Sequence, residues 1–334
     1  MTKPVFRFGA GSLTELADVL REVGSTTPLL VTTSRAASLA DRSTVAAVYD
    51  GVRSHAPVET VEEACAAAVA AGADAVVALG GGSAVDTAKA VSARLAIPVV
   101  AVPTTYAGAE FTSYFGMRDE AARRKAGGTG ATTVAAIYDP DLTVDLPLDV
   151  TVGTAMNALA HCAEAFYALG RGPRADRHGF TGARAIAYAL PLVVEHPRDP
   201  YARARLLEGA MRAAQALGAG GLALGHAMAQ ALGGRYGIAH GAANAVCLAP
   251  ALRFNAPAVP ESVAAFAEAM QADDAPRRVE ELARLGGFER LRDLDVPADE
   301  LDLVAAEAAG RAGARANPRP ASAEEVAALY RSVW

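Results

Sequence analysis

The chain has 334 residues, 52% apolar and 20% charged, enough for about two domains of ~100–200 residues with well-packed cores. Its formal net charge of −6 speaks against a nucleic-acid partner, which calls for dense Lys and Arg; the charged run from Arg118 to Lys125 is short and mixed in sign, and reads as a solvated loop. Three scattered cysteines (Cys65, Cys162, Cys247) form no CxxC pair, the start MTKPVFRFGAGS has no apolar signal core, and no uncharged apolar run reaches ~20 residues, so a reducing, cytoplasmic setting without disulfides or a membrane span is expected.

Residues 1–150 alternate apolar runs with Ala-rich helical ones. Pro28 to Thr33 reads as a buried strand, and Thr60 to Ala71 as a helix. Ala75 to Leu79 is a second apolar strand, ended by Gly80-Gly81-Gly82, with a helix from about Ser83 to Leu95. Pro98 to Val102 is a strand stopped by Pro103, and Val134 to Tyr138 another stopped by Asp139-Pro140. Strands alternating with helices predict an α/β domain whose parallel sheet is covered on both faces. After about residue 150 the pattern changes. Segments 151–195, 200–233, 241–254, 260–286 and 298–334 are Ala/Leu-rich with few β-branched runs, and predict an all-α half punctuated at Gly218-Ala219-Gly220-Gly221 and Gly233-Gly234.

Leu79-Gly80-Gly81-Gly82-Ser83-Ala84-Val85-Asp86 follows a strand and opens a helix. Glycines let the backbone turn tightly and approach a ligand, and the N–H groups at the helix start suit an anion. The triplet either binds phosphate or only serves a tight turn; its strand–turn–helix setting favours phosphate. It lacks the GxGxxG spacing of the ordinary Rossmann fingerprint. Pro103-Thr104-Thr105 also follows a strand, at the carboxyl end where ligands bind in such sheets, and its two hydroxyls can meet a cofactor. In the stretch MNALAHCAEAF, Met156 to Phe166, Asn157 and His161 stand four apart on one helical face. The pair looks like half of a metal site in which one ligand is a neutral amide.

Together these residues resemble the iron-containing alcohol dehydrogenase superfamily. Gly80 to Ser83 with Asp86 and Lys89 is similar to its cofactor turn, Pro103-Thr104-Thr105 to its second loop, and Tyr138-Asp139-Pro140-Asp141-Leu142 to the strand that closes its first domain. Asn157, His161 and Glu164 match its D-x-x-x-H-x-x-E helix, with Asn in place of Asp. Gly225-His226-Ala227-Met228-Ala229 and Ala239-His240-Gly241-Ala242-Ala243-Asn244-Ala245 match its two later histidine motifs. Within the superfamily the chain looks most like the maleylacetate reductase branch, through the run Thr104 to Glu110, the run Tyr138 to Pro147, and Asn157. The resemblance implies a dehydroquinate synthase-like architecture: a dinucleotide-binding α/β domain over 1–150, a helical catalytic domain over 151–334, and a site in the cleft, in a homodimer. It implies NAD(P)H as cofactor and hydride transfer to a small enol acid, its keto tautomer or a related carbonyl substrate.

The alcohol dehydrogenase branch holds Fe or Zn with one Asp and three His, whereas the maleylacetate reductase branch is regarded as working without that metal. Asn157 departs from the metal branch, Gln230 stands where a further histidine is usual, and Gly127-Gly128-Thr129-Gly130 is degenerate. The candidate metal ligands are His161, His226 and His240, since three imidazoles and a water can hold Zn²⁺. Losing the carboxylate weakens Fe²⁺ binding most, because imidazole alone does not favour iron over zinc. Without metal the same histidines can donate a proton and stabilise an enolate or alkoxide. His240 and His226 come first in that role, then His161, with Asn157 orienting. Gln230, one turn after His226, cannot transfer protons.

A substrate carboxylate needs a cation. Arg235, five residues before His240, either clamps it or faces solvent. Lys125 is a candidate near the cofactor. Ser34 and Arg35 end the first strand where an Asp or Glu would bind a ribose 2′-hydroxyl; they can take a 2′-phosphate, which tips the expectation to NADPH, unless Arg35 simply faces water. His55, His178 and His196 stand outside any motif and read as surface residues. Two further readings stay open. One is an Fe- or Zn-dependent alcohol dehydrogenase acting on a small alcohol or aldehyde, which bound metal would distinguish. The other is a member that binds nucleotide or substrate without redox turnover. The Lys-rich phosphate site of dehydroquinate synthases is not evident.

Overall fold

The computed structural model describes residues 4–334. The chain divides into two compact units. The first ends at Thr105 and resumes over Ala109–Val144; the second takes Tyr106–Gly108 and Asp145–Trp334.

The first unit has eight strands among the described residues: β1 (Val5–Phe8), β2 (Pro28–Thr32), β3 (Ala47–Tyr49), β4 (Ala75–Gly80), β5 (Val99–Pro103), β6 (Phe115–Asp119), β7 (Arg124–Gly128) and β8 (Thr133–Tyr138). Its helices are α1 (Leu16–Glu22), α2 (Val58–Ala70) and α3 (Gly82–Leu95). Six strands form one parallel sheet in the order β1-β8-β5-β4-β2-β3. Every residue of β2, β4 and β5 is buried, as apolar runs covered on both faces must be. The two-residue period sorts their side chains. Leu29, Val31, Val76 and Ala78 pack with Ala64 and Ala68 of α2 and Val85, Ala88 and Val91 of α3. Leu30, Val77, Leu79, Val100 and Val102 turn the other way, onto Leu16, Val19 and Leu20 of α1. Burying each of these Val or Leu side chains contributes about 1.5–3 kcal/mol.

Several elements of this unit were not anticipated, α1 among them. The edge strands β1 and β3 are not continuous apolar runs; β1 alternates half-buried and exposed residues. The charged run expected as a loop is a hairpin, with β6 antiparallel to β7 and Arg118 opposite Lys125. Its side chains are still solvated in part, and Arg118 pairs with Glu120 at 2.6 Å.

The second unit is helical: α4 (Leu148–Ala165), α5 (Pro173–Glu195), α6 (Pro200–Gly220), α7 (Leu224–Tyr236), α8 (His240–Asn255), α9 (Pro260–Ala269), α10 (Ala275–Arg284), α11 (Leu301–Ala309), α12 (Ala312–Arg315) and α13 (Ala323–Ser332). From Ala155 to Ala165 α4 is buried throughout, packed against α5, α6 and α8. Local start signals set where these helices begin and divide several segments expected as continuous. Pro173 opens α5, the Asp199 side chain caps α6, Asp274 caps α10, and Ser322 with Glu325 forms a capping box on α13. Left-handed Gly221, at φ 82°, separates α6 from α7, whereas Gly233 and Gly234 lie inside α7 and do not interrupt it. Among the described residues no helix is long and apolar enough to cross a membrane.

Candidate active site

In the first unit the parallel registers line up three strand ends. Thr32 lies beside Leu79, and Gly80 beside Pro103. The carboxyl ends of β2, β4 and β5 therefore present Ser34 and Arg35, Gly80 to Ser83, and Thr104 with Thr105 along one edge of the sheet. The Thr104 N–H donates to the Gly80 carbonyl at 3.0 Å. A Cβ on Gly81 would stand 3.0 Å from Thr105 Cγ2, so the turn and the threonine loop touch only because residue 81 has no side chain. No side chain caps the start of α3. The Thr105 hydroxyl beside it is buried without a hydrogen-bond partner. An uncapped helix start and an unsatisfied hydroxyl fit an anionic, hydrogen-bonding ligand such as a dinucleotide.

The remaining predicted cofactor residues have more specific surroundings. Ser83 Oγ accepts the His55 N–H at 3.0 Å. His55 is thus half-buried against the glycine turn, not the surface residue expected, and it adopts a left-handed φ of 64°. Ser34 and Arg35 are exposed in the turn after β2. Asp86 faces Lys89 and Lys125; burial pushes its carboxyl above the ordinary value, and both lysines pull the other way. Lys89 is fully buried and donates to the Ala109 carbonyl at 2.9 Å and to Thr112 Oγ1 at 2.7 Å. Burial lowers its ammonium, opposed by Asp86 and Glu110. Lys89 and Glu110 were legible only as members of motifs; their burial together was not.

The second unit assembles the histidines. His161 on α4 stacks on His226 of α7, with ring centroids 4.6 Å apart and planes 11° from parallel. His240, the first residue of α8, lies 5.7 Å from His226, centroid to centroid. Burial pushes the His161 imidazole well below its ordinary value, and the neighbouring His226 adds to this. His161 Nδ1 and His226 Nε2 are buried without hydrogen-bond partners. Gly108, at φ 73°, passes so close that a Cβ there would lie 3.3 Å from His161 Nδ1.

Asn157 is engaged at both ends. Its Nδ2 donates to the Ala107 carbonyl at 2.6 Å, and its Oδ1 accepts from Asn244 Nδ2 at 2.8 Å. Tyr106, Ala107 and Gly108, expected with the cofactor loop, thus belong to the helical unit; Arg203, buried, also donates to the Tyr106 hydroxyl at 3.1 Å. Gln230 is half-buried on α7, one turn beyond His226. Arg235, expected as a substrate clamp, is engaged within its own chain. Its Nε donates to Glu300 at 2.7 Å and its Nη1 to Glu307 at 3.2 Å, so two carboxylates of its own chain already hold the guanidinium. Two residues were missed as site members, Glu164 and Asn244. Each had a signal in the sequence: Glu164 is three residues after His161 and Asn244 four after His240, one turn away on the same helical face.

Residues 4–140 match the model of the iron-containing alcohol dehydrogenases, and residues 151–334 match that of the C-terminal part of the same family. The chain belongs to the iron-containing alcohol dehydrogenase family. It is an oxidoreductase. It is 36% identical to the maleylacetate reductase of Sphingobium indicum over 330 residues, 96% of this chain and 93% of that one. It is 38% identical to the maleylacetate reductase of Pseudomonas knackmussii over 304 residues, 89% of this chain and 86% of the relative. Its fold is that of the crystal structure of maleylacetate reductase from Rhizobium sp., with a TM-score of 0.91 at 33% identity over 100% of this chain and 97% of that one.

The family's name implies iron, and the donor set of this member does not fit it. Among the described residues no group of three His, Cys, Asp or Glu side chains is disposed to hold a metal ion. Asn157, in the place of the carboxylate, is neutral, and both ends of its amide are bonded within the protein.

Proposed function

We propose that this protein is an NAD(P)H-dependent reductase of the maleylacetate reductase type, acting on a small enol or keto acid. The observation that carries this reading is the histidine cluster built beside a neutral amide that is bonded at both ends. An iron ion held there would want a carboxylate; a proton donor does not.

The residues divide the work. The glycine turn from Gly80 to Gly82, with Thr104 and the Thr105 hydroxyl, would hold the pyrophosphate at the start of α3. Ser34 and Arg35 offer a hydroxyl and a cation where an NAD-selective site would place an acid, which supports use of NADPH at least as readily as NADH. When bound, the reduced nicotinamide supplies hydride to an electrophilic carbon. The chain must then deliver a proton to the oxygen or the adjacent carbon. Burial keeps His161 neutral near pH 7. We assign the proton transfer to His226 and His240, with His161 and Asn157 shaping the pocket around them. Gln230 can donate a hydrogen bond there but no proton.

The test is oxidation of NADPH and NADH, followed by nicotinamide absorbance, with maleylacetate, related keto acids and short aldehydes. Turnover of maleylacetate, with kcat/KM for NADPH equal to or above that for NADH, is expected. Turnover of short aldehydes alone, and only with added Fe²⁺ or Zn²⁺, would replace this reading with a metal-dependent alcohol dehydrogenase.

A further inference from the structure

Glu164 is completely buried, on the α4 face that carries His161. Its carboxylate makes three hydrogen-bond contacts. Oε2 accepts the Ala223 N–H at 2.6 Å and lies 2.8 Å from His226 Nδ1; Oε1 accepts the His226 N–H at 3.0 Å. Ala223 and His226 are the N-cap and third residue of α7, which has no side-chain cap of its own. The carboxylate of α4 therefore closes the start of α7, where the helix dipole favours a negative charge. The approach is tight: a Cβ on Gly225 would lie 3.1 Å from Glu164 Oε1. On the far side of the ring, His226 Nε2 is buried with no partner.

We propose that Glu164 is a positioning residue that fixes the tautomer of His226. Each carboxylate oxygen already accepts a backbone N–H, a group that can only donate. An ionised carboxylate only accepts, so the hydrogen shared at 2.8 Å sits on His226 Nδ1. In the neutral ring the lone pair is then on Nε2, the one ring nitrogen the protein leaves unpartnered. Two contacts from a single carboxylate, one to the backbone of His226 and one to its ring, hold both the ring and its helix. Nε2 is thus presented in one orientation to take up and return a proton. The kinetic consequence of this role rests on the proposed reductase reading; the tautomer does not, and can be read without substrate.

The experiment is long-range ¹H–¹⁵N correlation on histidine-labelled full-length protein, at a pH where His226 is neutral, with His226 assigned by comparison with H226N. Nδ1–H with a bare Nε2 is expected. The opposite tautomer overturns the proposal. Kinetics of E164Q and E164D in the reductase assay follow. In E164Q the amide must oppose a donor to one of the two backbone N–H groups, so folding is checked first by circular dichroism. Folded E164Q should lose about 10²-fold in kcat with little change in KM, and E164D should recover part of the loss. Folded E164Q with wild-type kcat overturns the role. If E164Q does not fold, the wild-type tautomer alone decides. If the wild-type protein reduces none of the substrates, the reductase reading fails while the tautomer still decides the role of Glu164.

Discussion

Asn157 shows how much one side chain settles. A carboxylate would keep the bond from Asn244 but would turn an oxygen toward the Ala107 carbonyl, 2.6 Å from the present Nδ2. Two buried acceptors would then face each other. Asn157→Asp is expected to destabilise the protein by about 1–3 kcal/mol at neutral pH, read as a lower urea midpoint. An unchanged midpoint would show that the side chain does not need Ala107. The presence of Asn157 and His161 on one helical face is plain in the sequence, because four residues make one turn. The partners of the amide are not, since Ala107 is 50 and Asn244 is 87 residues away. Arg235 teaches the same lesson with the opposite outcome. Its distance from His240 in the chain suggested a substrate clamp, and the acids that hold it, Glu300 and Glu307, come from the far end of the sequence.

At the scale of elements, β2 and β4 are registered by a loop as well as by their ladders. Asp74, at the entry to β4, accepts from the Ser25 hydroxyl, from the N–H and hydroxyl of Thr26, and from the Thr27 N–H. Partial burial pushes this carboxyl up, but the four hydrogen bonds outweigh it and hold it well below the usual carboxylate range. The sign follows from linkage. A depressed folded-state value stabilises the fold above the unfolded value of ~3.9 and stops doing so as pH falls below it. Asp74→Asn should therefore cost about 1–2 kcal/mol at pH 7, softened by water at this half-exposed site, and the difference should shrink below pH ~4. Denaturant midpoints of the two proteins across that range check it; a pH-independent difference would assign the loss to packing. The buried strands were legible because burial on both faces demands continuous apolar runs. The edge strands and the hairpin were not, because an edge tolerates Arg7 and Arg118 as readily as valine.

At the scale of the whole molecule, the chain spans nearly the full length of the relatives it matches, and both parts of the family are present. What sets it apart from the family's name is the donor set around the histidines. Dialysis against EDTA should leave reductase activity unchanged, and Fe²⁺ or Zn²⁺ should not raise it; a loss reversed by either metal would return the site to metal chemistry. The sequence by itself determined the α/β half, the helical half, the glycine turn at the end of β4 and the place of Asn157 and His161 on one helical face. Each of these is local: hydrophobic period, turn chemistry or the pitch of one helix. Only the tertiary structure decided that Tyr106 to Gly108 join the helical unit, that Arg235 is held by two glutamates, and that Glu164 meets His226 across 62 residues of chain. Those contacts arise where one element packs on another, and no periodicity within either records which residue it will meet.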